Sequence, residues 1–192
     1  MVNLNDDIKL VDMTTRTIYL NTGISSEAVT EGVIAIMKIN AYDDEQEAKL
    51  KDYVRQPIKV VVDSYGGIVY DGMSVITSLL TSKTPIHTYC YSKACSMGFM
   101  IMICGHKRFA HKYSTLMAHQ LSGGVGGTNA DIQEDAARVD ELNNMLMKII
   151  VDRTKITKKQ LKDLNKLKQD WFMFGKEALE MGVVDELIKD TH

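Results

Sequence analysis

Short apolar runs alternate with longer stretches of helical periodicity along the chain. The runs at 17–20, 58–63 and 86–91 predict strands because they are rich in β-branched and aromatic residues. The stretches at 25–39 and 68–80 predict helices, and Ser25 is a candidate N-terminal cap for the first of them. This alternation predicts an α/β fold with parallel pairing in much of its sheet.

The second half of the chain is expected to contain two further short strands, at 107–111 and within 115–120, followed by a Gly-rich segment at 122–127. A helix over 129–154 is the clearest in the sequence because its apolar residues recur at steps of three and four. A second helix over 157–166, the strand WFMF, a short helix ending at Gly182 and a strand over 183–187 complete the prediction. The stripe on the long helix comprises Ile132, Ala136, Val139, Leu142, Leu146 and Ile149.

The most charged stretch lies at 41–56. Its many acidic and basic residues predict a solvated surface loop or helix turn outside the core.

Bulk composition narrows the classes of function. The 192 residues, 45% hydrophobic and 25% charged, are typical of one globular domain, expected to span residues 1–192. A net charge of −2 without a Lys/Arg cluster gives no sign of a nucleic-acid partner. The longest strongly apolar run, at 97–104, is far shorter than the ~20 residues of a membrane span. We therefore expect a cytoplasmic protein with no membrane partner and with reduced, buried cysteines.

One hydroxyl stands at the start of the apolar segment ACSMGFMIMICG, at residues 94–105. Ser96 could cap a helix, where its oxygen would accept a hydrogen bond from a backbone N–H that lacks an intrahelical partner. Capping is the commoner role for a serine here, but Ser96 could also be a nucleophile, because a helix N-terminus offers aimed N–H groups to a developing oxyanion.

Other candidates for acyl-transfer chemistry are ambiguous when taken singly. His119 follows a β run and could be a general base, although a histidine at a strand end is more often structural. Gly66 and Gly67 end a strand and would let a carbonyl approach backbone N–H groups, but they could form an ordinary turn. Asp170 could orient a base or simply be a surface or capping residue.

Taken together, four motifs in order resemble the Clp protease proteolytic subunit, the ClpP-type serine peptidases of the crotonase-like superfamily. The resemblance runs from residue 17 to residue 188, through VVVDSYGG, KACSMG, KRFAHKYSTLMAHQLSGG and QDWFMFGKEALEMGVVDEL. It implies a repeated β-β-α core with a projecting helical handle at approximately 121–155.

The resemblance also implies roles for single residues. Ser96 would be the nucleophile, His119 the general base and Asp170 the residue that orients His119. The backbone N–H groups of Gly67 and Met97 would form the oxyanion hole. A further set, implied to bind an extended substrate, comprises Ile68, Gly124 and Val125. Neither a cofactor nor a metal ion is expected.

The implied function is endopeptidase cleavage of unfolded polypeptides or peptides inside a self-assembled chamber. The expected assembly is a homo-oligomeric, heptameric ring, which could stack as a double ring. An AAA+ ATPase unfoldase, if it is a partner, would make cleavage ATP-dependent. Two alternatives remain open: a catalytically silent scaffold or regulatory subunit of the same fold, and a crotonase-type acyl-coenzyme A enzyme.

The sequence departs from the family pattern at several places. Tyr65 and Leu121 stand where the family has proline, which indicates altered loops. Gln169 replaces an arginine that takes part in ion pairs between rings, so stacking of two rings is expected to be less secure. The segment before the first strand, which meets the ATPase in the family, is shorter than usual.

Overall fold

A computed structural model describes residues 10–122 and 126–191. In these two ranges the strands are β1 (Val11–Asp12), β2 (Thr17–Leu20), β3 (Ile58–Val62), β4 (Ile86–Cys90), β5 (Lys93–Cys95), β6 (Lys107–His111), β7 (Thr115–Ala118), β8 (Trp171–Phe174) and β9 (Glu186–Ile188). The helices are α1 (Ser26–Lys49), α2 (Val69–Thr81), α3 (Met97–Met102), α4 (Asn129–Arg153), α5 (Lys158–Leu167) and α6 (Gly175–Glu180).

Two sheets organise the fold. The larger has the strand order β1-β2-β3-β4-β6-β9, and every pair in it is parallel except β1 with β2. The smaller has the order β5-β7-β8, in which β5 and β7 are parallel and β7 and β8 are antiparallel. The predictions of an α/β class and of largely parallel pairing are therefore confirmed.

Local signals in the sequence explain where the helices begin. Ser25 caps α1 as predicted, since its side chain accepts a hydrogen bond from the Ala28 N–H. Thr128 and Asp131 form a reciprocal capping box at the start of α4. Acidic residues near the start of α4 and Arg153 at its end suit the helix dipole.

The charged stretch at 41–56 differs from its prediction. Helix α1 continues to Lys49, so the first half of this stretch is regular helix. Asp43 within it is fully buried and accepts hydrogen bonds from Arg16, Tyr53 and Thr84. A paired carboxylate of this kind looks solvated in a composition profile although it lies in the interior.

Two short strands and one boundary also differ from the predictions. Strands β1 and β5 were not expected, because runs of two and three residues carry no periodicity. The final strand is Glu186–Ile188, not 183–187; Val183 and Val184 instead lie buried in the connection before it.

Helix α3 lies inside the protein, with all six of its residues buried. Strands β3, β5 and β7 end close to its first residue, because Ser64 hydrogen-bonds to Cys95 and Ser96 to Met117 through their backbones. The carboxyl ends of these three strands thus meet at one place, as they do in open α/β sheets whose sites lie at that edge. No helix within the described ranges is long and apolar enough to cross a membrane.

Candidate active site

Ser96 occupies a sharp turn between β5 and α3. Its backbone has φ 54° and ψ −122°, a conformation that glycine adopts more readily than other residues. The Ser96 N–H donates to the carbonyl of Met117 at 2.9 Å, which holds the turn in place. A strained strand-to-helix turn of this kind presents the serine side chain outward, away from the chain that supports it.

The Ser96 hydroxyl faces His119 and does not cap α3. Its oxygen lies 2.7 Å from Nε2 of His119, and within the described chain it makes no capping hydrogen bond to the helix. His119 directly follows β7, which pairs in parallel with β5, the strand that leads into Ser96. The short sheet β5-β7-β8 therefore fixes both partners of this hydrogen bond.

The backbone of Asp170 lies near His119, but the Asp170 side chain makes no hydrogen bond to the Ser96–His119 pair in the part of the chain that the structure describes. Ala118 of β7 lies opposite Trp171 of β8, so His119 and Asp170 are the next residues beyond that pair. The Asp170 side chain is exposed, and among the residues the structure describes no hydrogen bond joins it to His119. The chain by itself thus holds a Ser–His pair with a carboxylate nearby.

The turn at Gly66 and Gly67 lies against Ser96. A Cβ atom added to Gly66, whose φ is 108°, would lie 2.6 Å from Ser96 Cβ and 3.0 Å from the Met97 nitrogen. A Cβ on Gly67 would lie 2.3 Å from the carbonyl oxygen of Ile24, so only glycine fits there. Neither Gly67 N–H nor Met97 N–H donates to a backbone carbonyl in the described part of the chain. Both residues line the same cavity as Ser96, so two backbone donors are available there.

A cavity of about 200 Å³ opens beside Ser96 and His119. Ile68, one of the predicted substrate-binding residues, lines it together with Met97. Most of the remaining wall is apolar and comes from α3, α4 and α5: Phe99, Met100, Leu146, Met147, Ile150, Leu161 and Leu164. Gly124 and Val125, the other two predicted substrate-binding residues, lie outside the described residues.

The sequence analysis did not assign any residue of α4 or α5 to this cavity. The signal was present in the apolar stripe of α4, which includes Leu146. Ile132 and Ala136, in the first half of the stripe, are exposed, whereas Leu146 is buried against the cavity. One stripe therefore has two environments, and periodicity alone does not separate them.

The three cysteines do not compete with Ser96 as nucleophiles. All are buried and unpaired. Burial raises the pKa of Cys95, the neighbour of Ser96, and raises that of Cys90 to about 12 and that of Cys104 to about 11. The thiolate is the reactive form, so these residues are structural at neutral pH.

Comparisons with known proteins identify the family of the chain. The sequence model of the Clp protease family matches residues 5–191. An "ATP-dependent Clp protease proteolytic subunit" of Deinococcus radiodurans is 30% identical over 178 residues, covering 92% of this chain and 81% of that protein. A subunit 2 of the same name from Synechococcus sp. is 31% identical over 179 residues, covering 90% and 83%. Another from Chlamydia abortus is 34% identical over 143 residues, covering 71% and 68%.

The family model and the first two of these relatives match nearly the whole chain, through both sheets and the helices between them. They confirm the resemblance inferred from the four motifs and the enzyme class that it implies. The chain belongs to the Clp protease family and is a serine endopeptidase by class.

Proposed function

We propose that this chain hydrolyses peptide bonds of unfolded polypeptides with Ser96 as nucleophile and His119 as general base. The observation that carries the proposal is the 2.7 Å contact between Ser96 Oγ and His119 Nε2, beside two free N–H groups and an open cavity. Nucleophile, base, oxyanion donors and a place for the substrate are the parts that acyl transfer requires.

The reaction proceeds in two stages. Ser96 Oγ attacks the substrate carbonyl carbon while its proton passes to His119 Nε2, and the oxyanion accepts hydrogen bonds from Gly67 and Met97 N–H. The C–N bond then breaks, and the leaving amine takes the proton from His119. A water molecule, deprotonated by His119, attacks the acyl ester; the acid leaves and Ser96 regains its proton.

Asp170 completes this scheme by accepting a hydrogen bond from Nδ1 of His119, which fixes the imidazole orientation and stabilises the imidazolium. Its backbone position beside His119 supports the role. We propose that the carboxylate turns toward His119 when copies of the chain assemble, because β8 directly follows α4 and α5 in sequence and α4 carries the exposed apolar stripe.

Assembly into a ring is part of the proposal. Ile132 and Ala136, in the first half of the α4 stripe, are apolar and exposed in the isolated chain. An exposed apolar row on a helix favours an interface. The family resemblance indicates a heptameric ring that can stack in pairs. The names of the relatives include "ATP-dependent", which supports a partner ATPase that delivers unfolded chains.

A fluorophosphonate probe tests the chemistry. The probe is expected to modify Ser96 alone, because a serine with a positioned base is the only strongly nucleophilic hydroxyl. Ser96→Ala should abolish both labelling and peptidase activity with the fold intact. Labelling that persists in Ser96→Ala would remove Ser96 from the role.

One alternative keeps a specific observation in its favour. The exposed, unengaged Asp170 side chain is what a catalytically silent scaffold subunit would have. A wild-type oligomer that neither reacts with the probe nor cleaves peptides would support this alternative. The acyl-coenzyme A alternative has no such support, since the family match is to a protease.

A further inference from the structure

The C-terminal end of helix α3 lies in the protein interior. Its last carbonyl, that of Met102, accepts a hydrogen bond from Thr88 Oγ1 at 2.8 Å. The next three residues, Ile103, Cys104 and Gly105, are also buried, and their carbonyls cannot reach water freely. Buried carbonyls of this kind require a donor from elsewhere in the chain.

A single guanidinium supplies that donor. Arg153 Nε donates to the carbonyl of Ile103 at 3.2 Å, and Nη2 donates to those of Cys104 and Gly105 at 3.1 and 2.6 Å. Throughout residues 10–122 and 126–191, no other donor reaches these three oxygens, and no carboxylate forms an ion pair with Arg153. The positive charge of Arg153 therefore faces the negative end of the helix dipole of α3.

Arg153 is itself held from behind. It is the last residue of α4, and its carbonyl accepts a hydrogen bond from Arg108 Nη1 at 2.6 Å. Arg108 is anchored in turn by two side-chain hydrogen bonds to Asp185. Arg153 and Arg108 together thus link the C-terminal end of α3 to β6 and to the connection that leads into β9.

The proposed catalytic groups and Arg153 lie at opposite ends of α3. Ser96 and the Met97 N–H lie at its start. Arg153 hydrogen-bonds to the carbonyls that follow its end, about 9 Å away at 1.5 Å per residue. A rigid helix this short transmits a shift at one end to the other. Misplacement of reacting groups by about 1 Å can lower a rate by about 10²-fold.

We propose that Arg153 is a positioning residue for the proposed peptidase reaction, holding the C-terminal end of α3 so that Ser96 and the Met97 N–H keep their reactive geometry. The inference rests on the proposed function of Ser96. It assigns a catalytic purpose to an arginine that contacts neither the cavity nor the Ser96–His119 pair.

Two substitutions test this role. Arg153→Met removes all three hydrogen bonds at similar length, and Arg153→Lys keeps the charge but lacks the planar fork that reaches three carbonyls. We expect the rate of fluorophosphonate labelling at Ser96 and kcat to fall by about 10²-fold in Arg153→Met. Arg153→Lys should lose about tenfold, an intermediate value for a point charge. KM should change little because the cavity is intact, and the shape of the pH–rate profile should be preserved because His119 is untouched.

Arg16→Lys is the matched control. Arg16 also donates to buried partners, Asp43 among them, but it touches neither α3 nor the cavity. Arg16→Lys should lower the melting temperature. It should leave kcat and the labelling rate unchanged when both are measured well below that temperature.

The outcomes separate the two proposals. Wild-type labelling rates and kcat in both Arg153 variants, with a lowered melting temperature like that of Arg16→Lys, would overturn the positioning role and leave the proposed function standing. An unlabelled wild type would overturn the proposed function and the role of Arg153 with it.

Discussion

Ala118 lies directly opposite Trp171 in the antiparallel ladder of β7 and β8. This pairing brings the next residue of each strand, His119 and Asp170, to the same end of the ladder. The backbone thus places Asp170, which we propose as the residue that orients His119, beside it.

Asp170→Asn should lower kcat by roughly 10³–10⁴-fold, the loss expected when the orienting carboxylate of a serine peptidase becomes an amide. Peptide hydrolysis by purified, assembled protein measures the effect. Asp163→Asn, at an exposed acid on α5, is the control and should retain full activity. A near-normal rate for Asp170→Asn would mean that Asp170 does not orient His119.

Activity should require assembly through the first half of α4. Ile132→Glu places a charge in the exposed apolar stripe and should shift the protein toward smaller species with lower activity. Light scattering coupled to size exclusion, with a peptide assay on each fraction, gives both readouts. Asn144→Glu, on the opposite side of the same helix, should leave assembly unchanged. A fully active species at the monomer mass of 21.6 kDa would contradict the prediction.

The apolar cavity beside Ser96 predicts cleavage after large apolar residues. Leu164→Trp should fill part of the cavity and reduce kcat/KM for peptides with leucine or phenylalanine before the cleaved bond by about tenfold or more. Peptides with alanine at that position should lose much less. Leu167→Trp changes an exposed leucine of the same helix and should have no such effect. Equal losses on all peptides would argue against this specificity pocket.

Stability at acid pH should depend on Asp43. Burial alone would raise the pKa of this carboxyl, but hydrogen bonds from Arg16, Thr84 and Tyr53 outweigh it and lower the pKa from 3.8 to about 2. The depressed pKa stabilises the fold above about pH 4, and this contribution, about 2 kcal/mol, is lost as pH falls from about 4 to 2.

Urea unfolding of wild type and Asp43→Asn at pH 5 and at pH 2.5 measures this contribution. Asp43→Asn should be less stable at pH 5, and the difference in free energy of unfolding should shrink at pH 2.5. Asp44→Asn, at an exposed neighbour, should show a much smaller change. A difference that stays constant with pH would exclude Asp43 as the titrating group.

Much of this fold was predictable because residue types and capping signals in the sequence agree with the side chains that the fold buries. The strand Thr17–Leu20 and the helix start at Ser25 follow from residue type and capping chemistry alone. The burial of Asp43 in α1 was not predictable, since its charge is compensated by Arg16, 27 positions away in sequence. Short-range patterns do not contain such long-range pairs.

The site, like the fold, has features that the sequence indicates and features that it does not. The resemblance assigned Ser96, His119 and Gly67 to one site, and the structure places all three around the same cavity. Two other features depend on how helices pack across the molecule. They are the part of the cavity wall that α4 and α5 form and the hydrogen bonds from Arg153 to the end of α3. The sequence predicted only that Arg153 lies near the end of a helix.

The positive φ of Ser96 lowers the stability of the fold, whereas the proposed reaction requires the serine side chain at this position. A side chain in such a conformation costs on the order of 1 kcal/mol or more relative to glycine. Ser96→Gly would therefore be expected to fold into a sturdier protein that has lost its nucleophile. Selection for stability alone would favour that glycine, so the presence of serine with φ 54° records a requirement other than folding.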